Sequence, residues 1–141
     1  MAVEAYLNFQ GNCREAVEYY AKVFGTEPNI MTFGDAPSDP NHPLPEEAKN
    51  LVIHARLSVA GSNLMFSDTF PGMTFTIGNN ISLSVSSKDK DELVSWFNQL
   101  KEGGKVGMEI QETFWSKCYG NLTDKFGVGW QFNLDSGEFQ M

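Results

Sequence analysis

Cysteine is scarce in this sequence, which has only Cys13 and Cys118 among its 141 residues. Two cysteines so far apart form neither a CxxC pair nor a zinc-binding spacing, so we expect two free thiols in a cytoplasmic protein. Long apolar runs are also missing, and no stretch approaches the roughly 20 residues of a membrane-spanning helix. The first residues do not show the basic-then-apolar pattern of a secretion signal.

Positive charge is the third shortage. The 10 Lys and Arg residues are outnumbered by 18 Asp and Glu residues, which gives a net charge of -8. Such a chain is repelled by nucleic acids and by anionic membranes, so we expect neither as a partner. A chain of this length can bury a core without disulfides, and we expect one domain over residues 1–141.

Aromatic residues and glycines, by contrast, are concentrated in residues 109–133, where two Trp, three Phe and one Tyr lie among three glycines. Gly120-Asn121 and the glycines at 127 and 129 predict turns. Residues 130–135 alternate between apolar and polar, which predicts a strand with Gln131 and Asn133 on its polar face. That face either lines a cavity or is the solvent side of an edge strand.

The same alternation predicts further strands at residues 2–10, 29–33, 51–59, 63–68, 80–86 and 106–111. Two amphipathic helices are predicted after Asn12 and Asp89, each of which is followed three residues later by a glutamate in the capping-box position. Glycines end both helices. Residues 36–47 are rich in proline and predict a loop that is either mobile or functional, for example as a lid.

These predicted elements repeat along the chain. The first helix recurs 77 residues later, and the strand before it recurs 76 residues later. Each half contains a strand, a helix and three strands, so we predict two βαβββ modules of the α+β class, at about residues 1–70 and 79–136. Related by pseudo-two-fold symmetry, they would place eight strands in one curved mixed sheet around a cavity.

Three segments carry a resemblance to a known family. They are YLNFQGNCREAVEYYAKVFG at residues 6–25, IHARLSVAGSNLMFSD at 53–68 and QETFWSKCYGNLTDKFGVGW at 111–130. Together they resemble the PhnB-like branch of the vicinal oxygen chelate superfamily, which includes glyoxalase I, extradiol dioxygenases and bleomycin-resistance proteins. The resemblance covers nearly the whole chain outside the proline-rich loop, and it implies a single domain with the paired βαβββ fold.

Proteins of this branch sometimes carry the label 3-demethylubiquinone methyltransferase. That activity uses S-adenosylmethionine, and the sequence has no strand followed by a glycine-rich loop that would suit this cofactor. The sequence therefore does not support the methyltransferase activity.

The resemblance also implies where a metal would bind. Metal-dependent relatives hold a divalent ion with four side chains, one from the first and one from the last strand of each module. Only Glu4 is a good ligand here, because methionine is soft and amide oxygens are neutral. We therefore expect no metal and no other cofactor. The equivalent positions are Glu4 (or Ala5 if the helix is aligned without a gap), Met65 or Ser67, Asn80 and Gln131.

The candidate ligand-binding residues are those expected to line the cavity, and none is assigned a catalytic role. His54 is either an acid–base group or a structural histidine, while Trp115 and Tyr119 either stack on a ligand or pack in the core. Glu112 could pair with Asp124, but Asp124 could instead only satisfy turn amides. The candidates are Tyr6, Asn8, His54, Arg56, Ser67, Asn80, Ser82, Glu112, Trp115, Tyr119, Gln131 and Asn133.

Two functions stay open at this point. The first is a small-molecule-binding protein that, like the resistance proteins, holds a small polar or anionic organic molecule in a cavity between the modules. The second is a metal-assisted enzyme of the glyoxalase, isomerase or dioxygenase type. The weak set of metal ligands favours the first. The resemblance and the abundant aromatic residues further imply a homodimer.

Overall fold

Each half of the chain folds as a strand, a helix and three further strands. The computed structural model describes residues 1–137, which form two compact units with their boundary between Thr76 and Ile77. We refer to these units as module one and module two. Their common βαβββ order confirms the α+β class and the repeat. No helix in the described residues is long and apolar enough to cross a membrane.

Module one packs α1 against one face of a four-stranded sheet. The strands pair in the order β1-β4-β3-β2, with β1 parallel to β4 and the other pairs antiparallel. Alternate residues of the sheet are buried, and Tyr20 of the helix stacks on Phe66 with ring centroids 6.0 Å apart. The elements are β1 (Tyr6–Phe9), α1 (Cys13–Phe24), β2 (Asn29–Thr32), β3 (Val52–Val59) and β4 (Ser62–Asp68).

Module two repeats this arrangement with α2. Its strands pair in the order β5-β8-β7-β6, with β5 parallel to β8. Phe97 of the helix meets Phe132 of the last strand edge-on, at 5.3 Å between ring centroids. The elements are β5 (Ser82–Ser87), α2 (Lys90–Leu100), β6 (Lys105–Gln111), β7 (Tyr119–Thr123) and β8 (Gly129–Leu134). Within residues 1–137 the strands are thus hydrogen-bonded as two sheets of four, where the sequence analysis expected one sheet of eight.

The two helices begin in different ways. Asp89 caps α2 as predicted, because its Oδ1 accepts from the backbone N–H groups of Asp91 and Glu92 at 3.0 and 3.3 Å. Asn12 precedes α1 but its side chain makes no capping hydrogen bond. The prediction of a local cap was therefore wrong for α1, and Asp68 of β4 takes its place by accepting from the N–H group of Cys13 at 3.0 Å.

The Gly120-Asn121 turn was also predicted wrongly, since both residues lie inside β7. A side chain at Gly120 would approach the carbonyl of Met108 at 3.1 Å and the ring of Phe97 at 3.1 Å. This glycine therefore permits close packing between the sheet and α2. The turn before β8 is confirmed, and Gly127 adopts the positive φ of 89° that favours glycine.

The proline-rich loop has a fixed base. Two backbone hydrogen bonds close it, from Phe33 to the carbonyl of Leu51 and from Gly34 to that of Lys49, both at 3.0 Å. Short 3-10 turns at Phe33–Asp35 and Glu46–Ala48 flank the proline-containing stretch. A function of this loop as a lid stays a prediction.

Candidate functional site

Both sheets have a second face, opposite the one that packs on the helix. Because side chains alternate along a strand, the polar residues between the buried ones share this face. We call it the polar face of each module. In module one it carries Tyr6, Asn8, His54, Arg56, Met65 and Ser67; in module two it carries Ser82, Ser84, Tyr119, Asn121, Gln131 and Asn133.

A pocket of about 780 Å³ opens on the polar face of module two. The turns before β5 and β8 supply glycines, and β6, β7 and β8 supply side chains. Exposed Ile77 and Ile81, together with Val106, form an apolar part of the wall. The polar lining residues are Asn79, Ser82, Lys105, Tyr119, Asn121, Thr123 and Gln131.

Hydrogen bonds join four of these polar residues into one chain. Tyr119 donates its hydroxyl proton to Oε1 of Gln131 at 2.7 Å. Gln131 in turn donates from Nε2 to Oγ of Ser82 at 2.8 Å. Asn121 lies behind Tyr119, with its Nδ2 at 3.5 Å from the tyrosine hydroxyl. These hydrogen bonds fix the orientation of the Gln131 amide, since the amide oxygen faces Tyr119 and the NH2 group faces Ser82.

Lys105 gives this pocket a positive charge. It begins β6 directly opposite Thr123, and it is the one charged residue among the lining residues, all of which lie within the described part of the chain. No carboxylate within residues 1–137 forms an ion pair with it. In a protein of net charge -8, a pocket lined by a lysine and no carboxylate favours anionic ligands.

Glycine makes room for one of the polar lining residues. A Cβ atom at Gly107 would collide with Oδ1 of Asn121, which lies on the neighbouring strand. The absence of a side chain at this position therefore allows Asn121 to lie against β6 beside Tyr119. Neither Lys105 nor Asn121 was among the residues predicted from the sequence. The polar–apolar alternation of 105–106 and 121–122 was the signal that could have found them.

The polar face of module one has a smaller pocket of about 290 Å³. His54 and Arg56 line it together with Asn29 and Met31 of β2. Nδ1 of His54 is 3.3 Å from the hydroxyl of Tyr6, and the two rings are tilted with centroids 5.8 Å apart. Arg56 is exposed and forms no ion pair with a described residue. The structure thus gathers three of the predicted residues here.

Two predicted acidic residues are not brought together. Oδ1 of Asp124 accepts from the N–H groups of Phe126 and Val128 at 2.9 and 3.1 Å, and Oδ2 accepts from the indole of Trp130 at 2.9 Å. This buried carboxylate therefore ties the β7–β8 turn, as the structural alternative predicted. Glu112 is exposed and makes no hydrogen bond or ion pair within the described residues.

The remaining candidates have separate surroundings. Trp115 meets Tyr119 edge-on at 5.3 Å and also contacts Phe114, which is exposed. Among residues 1–137, the Oδ1 atom of Asn133 is buried without a hydrogen-bond partner. The hydroxyl of Ser67 donates to Asn8 at 3.4 Å on the polar face of module one.

The positions implied for a metal can be compared through the strand registers. Leu7 lies beside Phe66 in module one, and its counterpart 76 residues later, Leu83, lies beside Trp130 in module two. The next residue of the last strand is then Ser67 in one module and Gln131 in the other. The registers thus favour Ser67 over Met65 as the position equivalent to Gln131.

This donor set does not fit a divalent ion. Glu4 lies before β1, where its carboxylate accepts from the amide of Asn63 at 2.9 Å. Oε1 of Gln131, its only ligating atom, already accepts from Tyr119. Asn80 and a serine hydroxyl are neutral and weak ligands. No three His, Cys, Asp or Glu side chains in the described chain are grouped as a metal site, and the expectation that the protein carries no metal stays a prediction.

Neither cysteine has the surroundings of a reactive thiol. Both are buried. Burial and, to a smaller extent, the Asp68 carboxylate raise the pKa of the Cys13 thiol to about 12. Burial also raises the pKa of Cys118. Because the thiolate is the nucleophilic form, these thiols are poor nucleophiles at neutral pH.

Comparison with known proteins places this geometry in a family. The profile of the family described as 3-demethylubiquinone-9 3-methyltransferase matches residues 2–133. The chain belongs to this family. Protein YjdN of Escherichia coli (strain K12) is 36% identical to it in an alignment 141 positions long, which covers 95% of this chain and 95% of YjdN.

Solved structures agree with this assignment. Protein PA1353 from Pseudomonas aeruginosa has a TM-score of 0.84 at 37% identity, covering 95% of this chain and 97% of its own. A PhnB protein from Bacillus cereus has a TM-score of 0.74 at 29% identity, covering 95% and 99%. A glyoxylase/bleomycin resistance/dioxygenase domain from Frankia sp. EAN1pec shares the fold, with a TM-score of 0.65 at 14% identity over 95% and 96%. The resemblance to PhnB-like proteins is thereby confirmed, as is the fold that this resemblance implies.

The family description contains the methyltransferase label that the sequence does not support. Each sheet here is mixed, with one parallel strand pair, and neither is the largely parallel, doubly wound sheet that binds nucleotide cofactors. The label therefore describes the family, and the geometry of this chain's own site has to indicate its function.

Proposed function

We propose that this protein binds a small anionic organic molecule and that the pocket of module two holds it. The observation that carries the proposal is the lining of that pocket, where Lys105 is accompanied by four hydrogen-bonded polar residues and by no carboxylate. A lysine that lines a pocket attracts an anion, and fixed hydrogen-bonding groups orient it.

The apolar wall of the pocket indicates that the ligand has an organic, apolar part and is not simply an inorganic ion. Ile77, Ile81 and Val106 offer a hydrocarbon surface next to the polar chain. A volume of about 780 Å³ lies within the range of about 300–1,000 Å³ that is usual for small-molecule sites. A ligand with an anionic end and an apolar body would use both parts of the pocket. Benzoate has this shape and is the probe that we choose.

The test is a calorimetric titration of the purified protein with benzoate. We expect saturable binding that weakens as salt is added, because the attraction between Lys105 and the carboxylate is screened. Lys105→Gln is expected to lower the affinity about tenfold, the usual worth of a charge-assisted hydrogen bond. Lys88→Gln, which removes the same charge from an exposed site outside the pocket, is the matched control.

The proposal fails if benzoate does not bind, or if both lysine variants weaken binding equally. The second outcome would mean that only net charge matters. A metal-assisted enzyme would be favoured if metal analysis found one ion per subunit that is lost in the Glu4→Ala or Gln131→Ala variant. That result would contradict the assignment of Gln131 to the hydrogen-bond chain alone.

A homodimer is part of the proposal, because the superfamily resemblance implies one. The exposed Met73 and Phe114 are apolar side chains outside the pocket that a second subunit could cover. Sedimentation at micromolar concentration is expected to give twice the subunit mass of 15.7 kDa. A species of the subunit mass would contradict this part of the proposal without affecting the ligand site.

A further inference from the structure

The hydrogen bonds of module two run in one direction, from Tyr119 through Gln131 to Ser82. A tyrosine hydroxyl has one proton, and Tyr119 gives it to Gln131. The amide oxygen of Gln131 is therefore an acceptor from Tyr119, and its NH2 group must face the other way, toward Ser82. Each donor in the chain polarises the next, so the last hydroxyl is a stronger donor than an isolated serine.

The hydroxyl proton of Ser82 is available for a hydrogen bond to a ligand. Its Oγ atom accepts from Gln131 at 2.8 Å, and no acceptor in the described part of the chain takes the proton of Ser82 itself. Ser82 is exposed and lines the same pocket as Lys105. A hydroxyl held in this way offers a donor to the pocket, and its acceptor capacity is partly used by the amide.

We propose that the hydroxyl of Ser82 donates a hydrogen bond to an anionic oxygen of the ligand and that Lys105 supplies the balancing charge. Gln131 is then a positioning residue, because its amide keeps the Ser82 hydroxyl in the donor state. This inference rests on the proposed binding function and narrows it to ligands with a hydrogen-bond acceptor at this point. The pocket then distinguishes a carboxylate or phosphate oxygen from an amine of the same size, since an ammonium group offers only donors.

Three probes of one shape test the selectivity. They are benzoate, benzamide and benzylammonium, which place an anion, a neutral amide and a cation on the same ring. The unchanged protein is expected to bind benzoate best, benzamide more weakly and benzylammonium least. Ser82→Ala is expected to weaken benzoate about tenfold, because a hydrogen bond to a charged group is lost. It should change benzylammonium binding little.

Gln131→Glu is the sharper variant. It has the same shape, but both carboxylate oxygens accept, so Ser82 would donate to residue 131 and turn its lone pairs to the pocket. Benzoate binding should fall by more than in Ser82→Ala, and benzylammonium should gain affinity relative to benzoate. Gln131→Met, which leaves Ser82 free to rotate, should weaken benzoate less than Gln131→Glu does. In Gln131→Met, which adds no charge to the pocket, a purely structural role of Gln131 would lower the affinity for all three probes alike.

The outcomes separate this inference from the proposed function. If benzoate binds and depends on Lys105 but is unaffected by Ser82→Ala, the function stands and the role of Ser82 is wrong. If Gln131→Met lowers the affinity for all three probes by the same factor, the positioning role of Gln131 is also wrong. If no probe binds the unchanged protein, both fall. Should Gln131→Glu fail to fold, as judged by circular dichroism, the exposed Ser82→Ala variant still decides the question.

Discussion

Modules one and two share a strand order, yet they place different chemistry at equivalent positions. In module one Phe9 lies beside Asp68, while in module two Val85 lies beside Phe132. Asp68 is buried and accepts from the backbone N–H groups of Gly11, Cys13 and Val52 at 2.8–3.0 Å. Phe132 instead packs on the helix.

The difference shows that the two modules satisfy the backbone N–H groups at the start of their helices in different ways. The start of α1 lacks a local cap, so a carboxylate from the last strand satisfies its amides and also bonds the start of β3. The start of α2 has its own cap in Asp89, which frees the equivalent strand position for an aromatic core residue. In module one, a single buried carboxylate of β4 therefore both caps α1 and links β4 to the start of β3.

The polar faces of the two modules also differ in their chemistry. Module one presents His54 and Arg56 in a small pocket, whereas module two presents an ordered chain of hydrogen bonds in a larger one. Ordered groups with fixed donors lose less entropy when they bind a ligand. For this reason we propose module two, and not module one, as the place where a ligand binds.

The largest effect is expected from removing the carboxylate of module one. Asp68→Ala leaves three backbone donors without a partner in a largely buried site, and it should lower the free energy of unfolding by about 3 kcal/mol. Urea denaturation followed by circular dichroism measures this change. A loss no greater than that of Asp89→Ala would show that the two modules do not differ in the way described.

The polar faces are compared by two substitutions that each remove one cation. Lys105→Gln is expected to lower the affinity for benzoate about tenfold. Arg56→Ala should weaken it by a smaller factor and leave folding intact, because Arg56 is exposed beside the smaller pocket. Titration calorimetry on both variants checks the order. The reverse order would move the ligand site to module one.

A smaller contrast concerns the residues before the helices. Asp89→Ala removes a capping side chain and should destabilise the protein by about 1 kcal/mol. Asn12→Ala should cost less than about 0.5 kcal/mol, because the Asn12 side chain caps nothing and Asp68 remains in place. Equal losses in thermal or urea denaturation would show that Asn12 caps α1 after all.

The smallest effect at neutral pH comes from Cys13. Its pKa is about 12 in the folded protein against an ordinary value of 9.0, since burial and the Asp68 carboxylate disfavour the thiolate. The unfolded chain therefore loses this proton first, and the free energy of unfolding should fall as pH rises from 9.0 toward about 12, with no contribution below that window. Denaturation of Cys13→Ala alongside the unchanged protein isolates the effect, because the variant should lack this part of the pH dependence. Parallel pH profiles would contradict it.

The repeat of elements was predictable from the sequence because it depends on local signals. Alternating strands, amphipathic helices and the glycine at 25 all act over a few residues, and Gly25 does end α1 with a φ of 68°. Gly120-Asn121 misled for the same reason. A local turn signal was overridden by pairing of β7 with strands on both sides, which only the tertiary structure provides.

The candidate site was predicted in part. Ser82, Tyr119 and Gln131 were named from alternation, and they do line one pocket. The bond from Tyr119 to Gln131 depends on strand register between β7 and β8, which alternation does not reveal. Lys105 was missed because the strand was predicted to begin one residue later, at 106, and the register shifts after Val106 weaken the period of two along the rest of the strand. The role of Asp68 depends on a contact 55 residues away, beyond any local pattern.

The most direct test of the central claim is an NMR titration of the 15N-labelled protein with benzoate. We expect saturable shifts at the side-chain amide of Gln131 and at the backbone amides of Ser82 and Lys105, and we expect their loss in Lys105→Gln. The side-chain amide is the decisive signal because it links Tyr119 to Ser82. Saturable shifts confined to residues of module one, such as Asn29 and Arg56, with Gln131 unchanged, would contradict the account.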